Sequence, residues 1–415
     1  MTNMFTIASP GMSPAVQKYA QAQAALAADY LERAVAIAPL VERDADETER
    51  LAMITPAVHD AYAANNLYWM SIPEELGGPG MGPTAAMPVI EEMTRADGSS
   101  GWSLMANAFN NAMAAGHMPD QGAELLWGGK YKAITCGQFA AVGSGVETGD
   151  GVRGGGHFRF GSGSGHADWI GGGVILKQNG KPILRPDGMP EARVIHIPID
   201  QCTMRGGWDV IGLTGTASFD YEIPEQLVPP HLVFSGDPMA EPLRGGPLLQ
   251  IGWFGIGAAG HAAVALGIAR RALEEVAQIV HQKRRLGYSV DVDQHPVFRH
   301  QFTQFDAAFW ATRALVLNAF WAVEEAVVGG LSPNAEQMSR LRQACSMAHK
   351  TAVEVVQFCH HWGASQSFRN PSALGRCTRD LAVATQHVIA DESAWSDCAE
   401  PIYQSWLRSY PSPRS

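Results

Sequence analysis

The sequence predicts a mostly α-helical chain interrupted by one β domain. An N-terminal helical domain spans residues 1–130, a middle antiparallel β domain 131–236, and a C-terminal four-helix bundle 237–415. Three observations predict this. Apolar residues recur at helical spacing from Ser13 to about residue 130. Between Tyr131 and Ser235 glycine becomes dense and short β-branched runs replace that spacing. From Pro247 onward four long apolar segments return to it. At 415 residues the chain is also too long for one typical core, so sub-domains are expected.

The first helix starts at Ser13-Pro14, because Ser caps a helix and Pro fits its first turn. Tyr19, Ala22, Leu26, Tyr30 and Val35 follow at roughly helical spacing. A second helix is expected from about Glu47 to Ala64, with Leu51, Ile54, Val58 and Tyr62 on one face. Ile72 to Met81 reads as a loop by its Gly and Pro content. Pro83 to Arg95 is the third helix. Ser99 or Ser100 caps a fourth, Gly101 to about Gly116, apolar nearly all round and therefore central.

In the β region, Val174-Ile175-Leu176, Val194 to Ile197 and Phe219 to Ile223 are strand runs separated by turns, and Pro229-Pro230 closes the domain. The bundle follows as Gly257–Arg285, Pro296–Val328, Pro333–His361 and Leu374 to about Ile402. Ala258, Ala262, Ala265 and Ala269 give its first helix a small-residue face suited to close packing, including packing between subunits.

The stretch from Leu374 to Val388 has no Gly or Pro after Gly375 and reads as a mostly buried helix. Arg376, Asp380 and His387 then share a face, with Ala384 between them. Such groups are costly to bury unpartnered. They are either an internal ion pair, Arg376 with Asp380, plus a core histidine, or a functional site.

Totals exclude several classes. A net charge of -11 with no basic stripe argues against nucleic acid. Six scattered cysteines without CxxC pairing read as reduced thiols of a cytoplasmic protein, not as disulfides or a zinc site. No signal-peptide pattern and no run of about 18 apolar residues appears, so no membrane span is expected. His360-His361 point about 100° apart on a helix and do not suit one metal ion. Gly149 to Gly156 lacks the strand-turn-helix setting of a dinucleotide loop.

The order of parts resembles the acyl-CoA dehydrogenase superfamily. Ile72-Pro73-Glu74-Glu75-Leu76-Gly77-Gly78 is similar to its loop between early helices. Gly212 to Ser218 and Leu227-Val228-Pro229 look like the strand pair ending its β domain. Arg284-Arg285-Leu286-Gly287 resembles its Arg-x-Phe-Gly. Ile134 to Ser144, Phe158 to Trp169, and Arg379-Asp380 followed by His387 are similar to the two-component flavin-dependent monooxygenase branch. That resemblance implies reduced FMN, or FAD, delivered by a separate NAD(P)H-flavin reductase. It implies reaction with O2 to a flavin C4a-hydroperoxide and oxygenation of a small aromatic, heteroaromatic or amine substrate. It places Ser144, Ser162, Ser164, Arg284 and Gly363 at the flavin, with Arg284 reaching the flavin of a neighbouring subunit in a homotetramer. Asn110, Trp253 and Phe254 are placed at the substrate, and His387 at the proton chemistry.

Two departures matter. The carboxylate base of a dehydrogenase would fall at about Val388 or near Gly257, and neither is a carboxylate. His387, with an ordinary pKa near 6.5, stands beside the first vacancy. Where many aromatic hydroxylases of the branch carry a second His after Gly-Trp, this chain has Gly101-Trp102 followed by Asn107, Asn110 and Asn111. The alternatives are an FAD-dependent acyl-CoA dehydrogenase and a non-catalytic flavin-binding protein. His166-Ala167-Asp168-Trp169 reads as scaffold with a His–Asp contact.

Overall fold

The computed structural model describes residues 12–130 and 132–409; the domain limits expected at 1, 131 and 415 lie outside them. The first helix, α1, runs Pro14–Leu51, and the Ser13 hydroxyl accepts the Val16 N–H at 3.3 Å. Its buried stripe Ala38, Val41, Ala45 and Thr48 continues unbroken past Glu47. The expected start at Glu47 is therefore corrected: the second helix is the shorter α2, Pro56–Ala64, capped by Thr55.

Helices α3 (Pro83–Ala96), α4 (Gly98–His117) and α5 (Asp120–Trp127) complete the N-terminal part. Asp97, and neither Ser99 nor Ser100, caps α4 by accepting the Ser100 N–H at 2.9 Å. A carboxylate outcompetes a hydroxyl there because it also meets the positive end of the helix dipole. Helix α4 is central, with only Ala106 and Asn110 not fully buried.

Eight strands follow: β1 (Thr135–Thr148), β2 (Gly151–Gly161), β3 (Trp169–Gln178), β4 (Lys181–Pro182), β5 (Ala192–Pro198), β6 (Thr203–Gly206), β7 (Phe219–Val228) and β8 (Val233–Ser235). They form one sheet in the order β6-β7-β2-β1-β3-β5-β8, with β4 on β3. The expected all-antiparallel domain fails at one pair. β1 and β3 run parallel, with Thr135 opposite Trp169 and Gly145 opposite Leu176. The reason is topological: β2 folds back on β1 as a hairpin, and Ser162–Asp168 then crosses beside the start of β1 to its other edge. The motif singled out in the sequence is this crossover.

The C-terminal part contains α6 (Gly252–Val280), α7 (Pro296–Val328), α8 (Ala335–Gly363), α9 (Ser365–Phe368), α10 (Ala373–Ala384), α11 (Ser393–Asp397) and α12 (Ala399–Ser409). Helices α6, α7, α8 and α10 make the bundle. The fourth helix ends at Ala384, and the segment expected to run on to Ile402 is broken into short pieces. The small-residue face of α6 is used inside the chain, where Ala258, Ala262, Ala265 and Ala269 are all buried. On the opposite face a side chain at Gly260 would meet Met105 Cγ at 2.5 Å, and one at Gly267 would meet Thr94 Cβ at 2.5 Å, so α6 also touches α4 and α3 closely. Leu249–Val280 is long and apolar enough by composition to cross a membrane; here it is the centre of the bundle.

The loop Gly212–Ser218 ties the three parts together. A side chain at Gly212 would strike the Arg379 carbonyl oxygen of α10 at 2.1 Å. The Leu213 N–H donates to Asp380 at 2.6 Å, Gly215 N–H to Ser99 at 3.1 Å, and Ala217 N–H to the Ala52 carbonyl at 3.0 Å. Leu213 and Ala217 hold left-handed backbone, φ 50 and 47, a strain that these contacts impose.

Candidate active site

His387 lies in the turn after α10, not on the helix, because the chain breaks at Thr385. Its side chain still meets the bundle. The ring stacks on His261 of α6, with centroids 4.1 Å apart and planes 29° apart, and lies 6.1 Å edge-on from Trp102 of α4. The Ile389 N–H donates to His387 Nδ1 at 3.2 Å. Nδ1 is therefore the bare nitrogen, and the neutral ring carries its proton on Nε2. The surface of His387 is open to solvent, yet crowding of the ring, then His349, lowers its pKa to about 4. Solvent along the open edge tempers the size of that shift and leaves its direction. Near neutral pH the ring is therefore neutral, with Nδ1 accepting from Ile389 and Nε2–H left to donate.

The β side of the site is the crossover. Ser162 accepts the Trp102 indole N–H at 3.1 Å and bonds Ser218 at 2.7 Å, which in turn bonds Thr216 at 2.7 Å. Ser162, Trp102, His261 and His387 thus form one connected set from sheet to bundle. Ser164 turns away from it, donating to the Ala217 carbonyl at 2.8 Å, and is buried. His166 pairs with Asn107 at 2.9 Å and Asp168 accepts the Ile134 N–H at 3.0 Å, so the expected His–Asp contact is replaced by two separate ties. Asn107 also donates to the Thr135 carbonyl, and Asn111 bonds both Tyr68 and Thr135. Those two amides fasten α4 to β1. Asn110 is the polar side chain that α4 leaves only half-buried.

Trp253 is half-buried at the start of α6, 6.0 Å edge-on from Phe139, and its indole N–H is buried without a partner. Phe254 is 48% exposed. Three residues on, a side chain at Gly257 would meet Ile389 at 3.1 Å. The two places where a dehydrogenase carboxylate was sought, Gly257 and the segment at Val388, are therefore neighbours across one gap, and aliphatic carbon fills it.

Arg376 does not pair with Asp380. It reaches Asp46 and Glu49 of α1 and lies 4.0 Å from Asp97. Those carboxylates on other elements win over the residue one turn away because Asp380 is claimed by the Leu213 amide. Burial, then Asp97, pushes the Asp380 carboxyl up to about 7.

Ser144 is exposed on β1 opposite Gly155 of β2, seven residues before Ser162 and so roughly 20 Å along the strand from it. It does not join the His387 set. Arg284 and Gly363 lie at another end of the bundle. Arg284 bonds Asp291 at 2.8 Å within its own loop, while Arg285 reaches the His361 and Trp362 carbonyls and lies over the Trp362 ring. Gly363 is buried, and a side chain there would meet Leu374 at 2.7 Å, so packing against α10 explains it.

Sequence reasoning missed three members: Trp102 as a bridge, His261, and His349 of α8, whose ring lies 6.2 Å from that of His261. A lone His in the Ala- and Gly-rich α6 was the available signal. Among the described residues no cluster of three His, Cys, Asp or Glu suits a metal ion. Near the His387 set, exposed Phe160 at the end of β2 and Phe254 at the start of α6 offer aromatic surface suited to a flat heteroaromatic group.

The acyl-CoA dehydrogenase N-terminal domain matches residues 19–124 and the C-terminal domain of the same name matches residues 259–392. The chain is 25% identical over 352 residues to the indole-3-acetate monooxygenase of Acinetobacter baumannii, covering 84% of this chain and 87% of that one. The indole-3-acetate monooxygenase of Pseudomonas putida is 25% identical over 360 residues, with 86% and 89% covered. Among solved structures, XiaF from Streptomyces sp. in complex with FADH2 and glycerol superposes with a TM-score of 0.82 at 20% identity, covering 96% of this chain and 100% of that one. The complex of TdsC from Paenibacillus sp. A11-2 with FMN and indole superposes at 0.75 and 19% identity, covering 93% and 98%.

Proposed function

This chain belongs to the acyl-CoA dehydrogenase family, and from that premise we propose that it is the oxygenase component of a two-component flavin-dependent monooxygenase. Its substrate is a small aromatic or heteroaromatic molecule, of which an indole is the leading case. The reduced flavin, FMN with FAD as the alternative, supplies the electrons that let one atom of O2 enter the substrate while the other leaves as water.

The chain's own residues do the rest. Ser162, held by Trp102 and Ser218, presents a hydroxyl at the sheet side of the cleft. Phe254, Trp253 and Phe139 give apolar aromatic lining, and Asn110 offers an amide from α4. His387 places a neutral Nε2–H where negative charge develops on oxygen, and the packed rings behind it keep water off one side. Neither Gly257 nor Val388, where a dehydrogenase carboxylate was sought, can take an α-proton. The single observation that carries the proposal is this neutral histidine beside a gap filled by Gly257 and Ile389.

The reductase is a separate protein, since Gly149–Gly156 forms the β1–β2 turn and the first residues of β2, not a dinucleotide loop. A cytoplasmic homotetramer in which the exposed Arg284 serves a neighbouring subunit's flavin completes the proposal. The test supplies the protein with flavin, a flavin reductase, NAD(P)H and 18O2, and screens indoles and phenols by mass spectrometry. Substrate-dependent gain of one 18O supports the reading. Bleaching of bound FAD by an acyl-CoA under anaerobic conditions, with no oxygenated product, overturns it.

A further inference from the structure

His387 poses a problem of position. It stands in a turn, three residues beyond the end of α10, where no helical backbone fixes it. Its one hydrogen bond, from the Ile389 N–H, holds Nδ1 but leaves the ring free to tilt. What lies against its face is another imidazole. His261 is 4% exposed on a rigid, fully packed helix, and its Nδ1 is buried with no partner. An unpaired polar atom in that setting costs on the order of 1–3 kcal/mol, so a plain hydrocarbon would serve packing better.

A third imidazole packs near His261. His349 is 3% exposed, and its Nδ1 bonds the Cys345 carbonyl at 2.9 Å. That carbonyl accepts, so Nδ1 carries the proton and Nε2 is a bare acceptor, buried and likewise without a partner. Two unpartnered ring nitrogens thus sit on rings whose centroids are 6.2 Å apart, and His261 in turn stacks on His387, so the three imidazoles form one cluster. Trp102 lies edge-on to His261 at 4.8 Å.

We propose that His261 is the positioning residue for His387: its buried ring, stacked on the imidazole at 4.1 Å, is the platform that fixes the His387 plane and with it the direction of Nε2–H. The role in turnover rests on the monooxygenase reading above; the geometric claim does not. His349 is anchored to its own helix through the Cys345 carbonyl, His261 is buried on α6, and of the three only His387 is exposed.

The test uses full-length, flavin-free protein labelled with 15N-histidine, in which the His387 signals are assigned by their loss in H387Q. Wild type shows a single Nε2–H tautomer at His387. H261L, which keeps volume but removes the flat ring, gives a mixture of tautomers, and H261F, which restores a flat ring, returns the single one. Melting curves confirm that both variants are folded. With flavin and substrate supplied, H261L also makes about ten-fold less oxygenated product per reduced flavin consumed, as expected for a misaligned donor. An H261L spectrum identical to wild type overturns the proposal. So does an H261F that behaves like H261L, since that would move the work from the ring face to its nitrogens. If the NMR outcome holds and no substrate is oxygenated, the platform stands and the monooxygenase reading falls.

Discussion

Whether His387 works as a base with an ordinary pKa can be decided by pH. A histidine with an ordinary pKa of about 6.5 is only about 9% neutral at about pH 5.5, so a base of that kind loses roughly ten-fold in rate between about pH 7.5 and 5.5. The pKa of His387 is lowered by burial and by His349, which keeps the ring largely neutral at about pH 5.5. The rate of oxygenation should then be flat across that interval. The assay is single-turnover product formation from chemically reduced flavin, which removes the reductase's own pH dependence. Two variants sharpen it. Gln carries an amide donor at the reach of Nε2 but cannot serve as a base, so H387Q should keep activity within about ten-fold. H387L removes the donor and should lose about 10²–10³. A limb of unit slope near about pH 6.5 that vanishes in H387Q, with H387Q and H387L equally impaired, would refute the donor reasoning.

The Asp380 carboxyl is raised to about 7, so it favours the folded state fully below its unfolded value of about 4 and loses that contribution as pH rises towards 7. Asp380→Asn keeps the acceptor for Leu213 and should gain on wild type in melting temperature between about pH 5 and 8; a loss over that range would sink the assignment. Asn107→Ala removes bonds to Thr135 and His166 and should cost about 2–4 kcal/mol in denaturant unfolding, whereas Asn110→Leu should leave stability within about 0.5 kcal/mol and shift substrate KM. Arg284→Ala, at an exposed site, should leave the melting curve in place while weakening flavin binding about ten-fold by titration, and solution mass should exceed the 44.5 kDa of one chain.

Much of the architecture was legible because it is written in local periodicity. The apolar spacing of α3 and α7 and the strand runs of β3, β5 and β7 each lie within one element. What escaped was decided between elements. Nothing in Thr385-Gln386-His387 announces a helix end, since no Gly or Pro stands there; the break comes where Ile389 packs into the space that Gly257 leaves. The one-turn spacing of Arg376 and Asp380 suggested a pair, but Asp46 and Glu49, more than 300 residues earlier, hold the arginine. The parallel β1–β3 pair follows from the crossover at Ser162–Asp168, a topological fact that strand composition does not carry. Of the residues expected at the site, Ser162 and His387 meet through Trp102 and His261, and only the fold could show which aromatic side chains join them.

The chemistry then turns on what a buried histidine cluster permits. Three clustered imidazoles repel charge: protonating any one raises the cost for the others, and desolvation lowers the pKa of all three. Such a cluster is poor at taking a proton from carbon, which needs a group that ends the step charged. It is well suited to donating a hydrogen bond to oxygen, which leaves every ring neutral. The gap where a carboxylate would have stood is closed by Gly257 against Ile389, and the same contact seats the turn that carries His387. The bare position at Gly257 and the seating of the His387 turn therefore depend on the same contact. A chain that put Glu at position 257 would meet Ile389 and displace that turn, so H387-dependent product should fall in Gly257→Glu together with the His387 tautomer signal. Retention of both would show that the turn is held by something other than this contact.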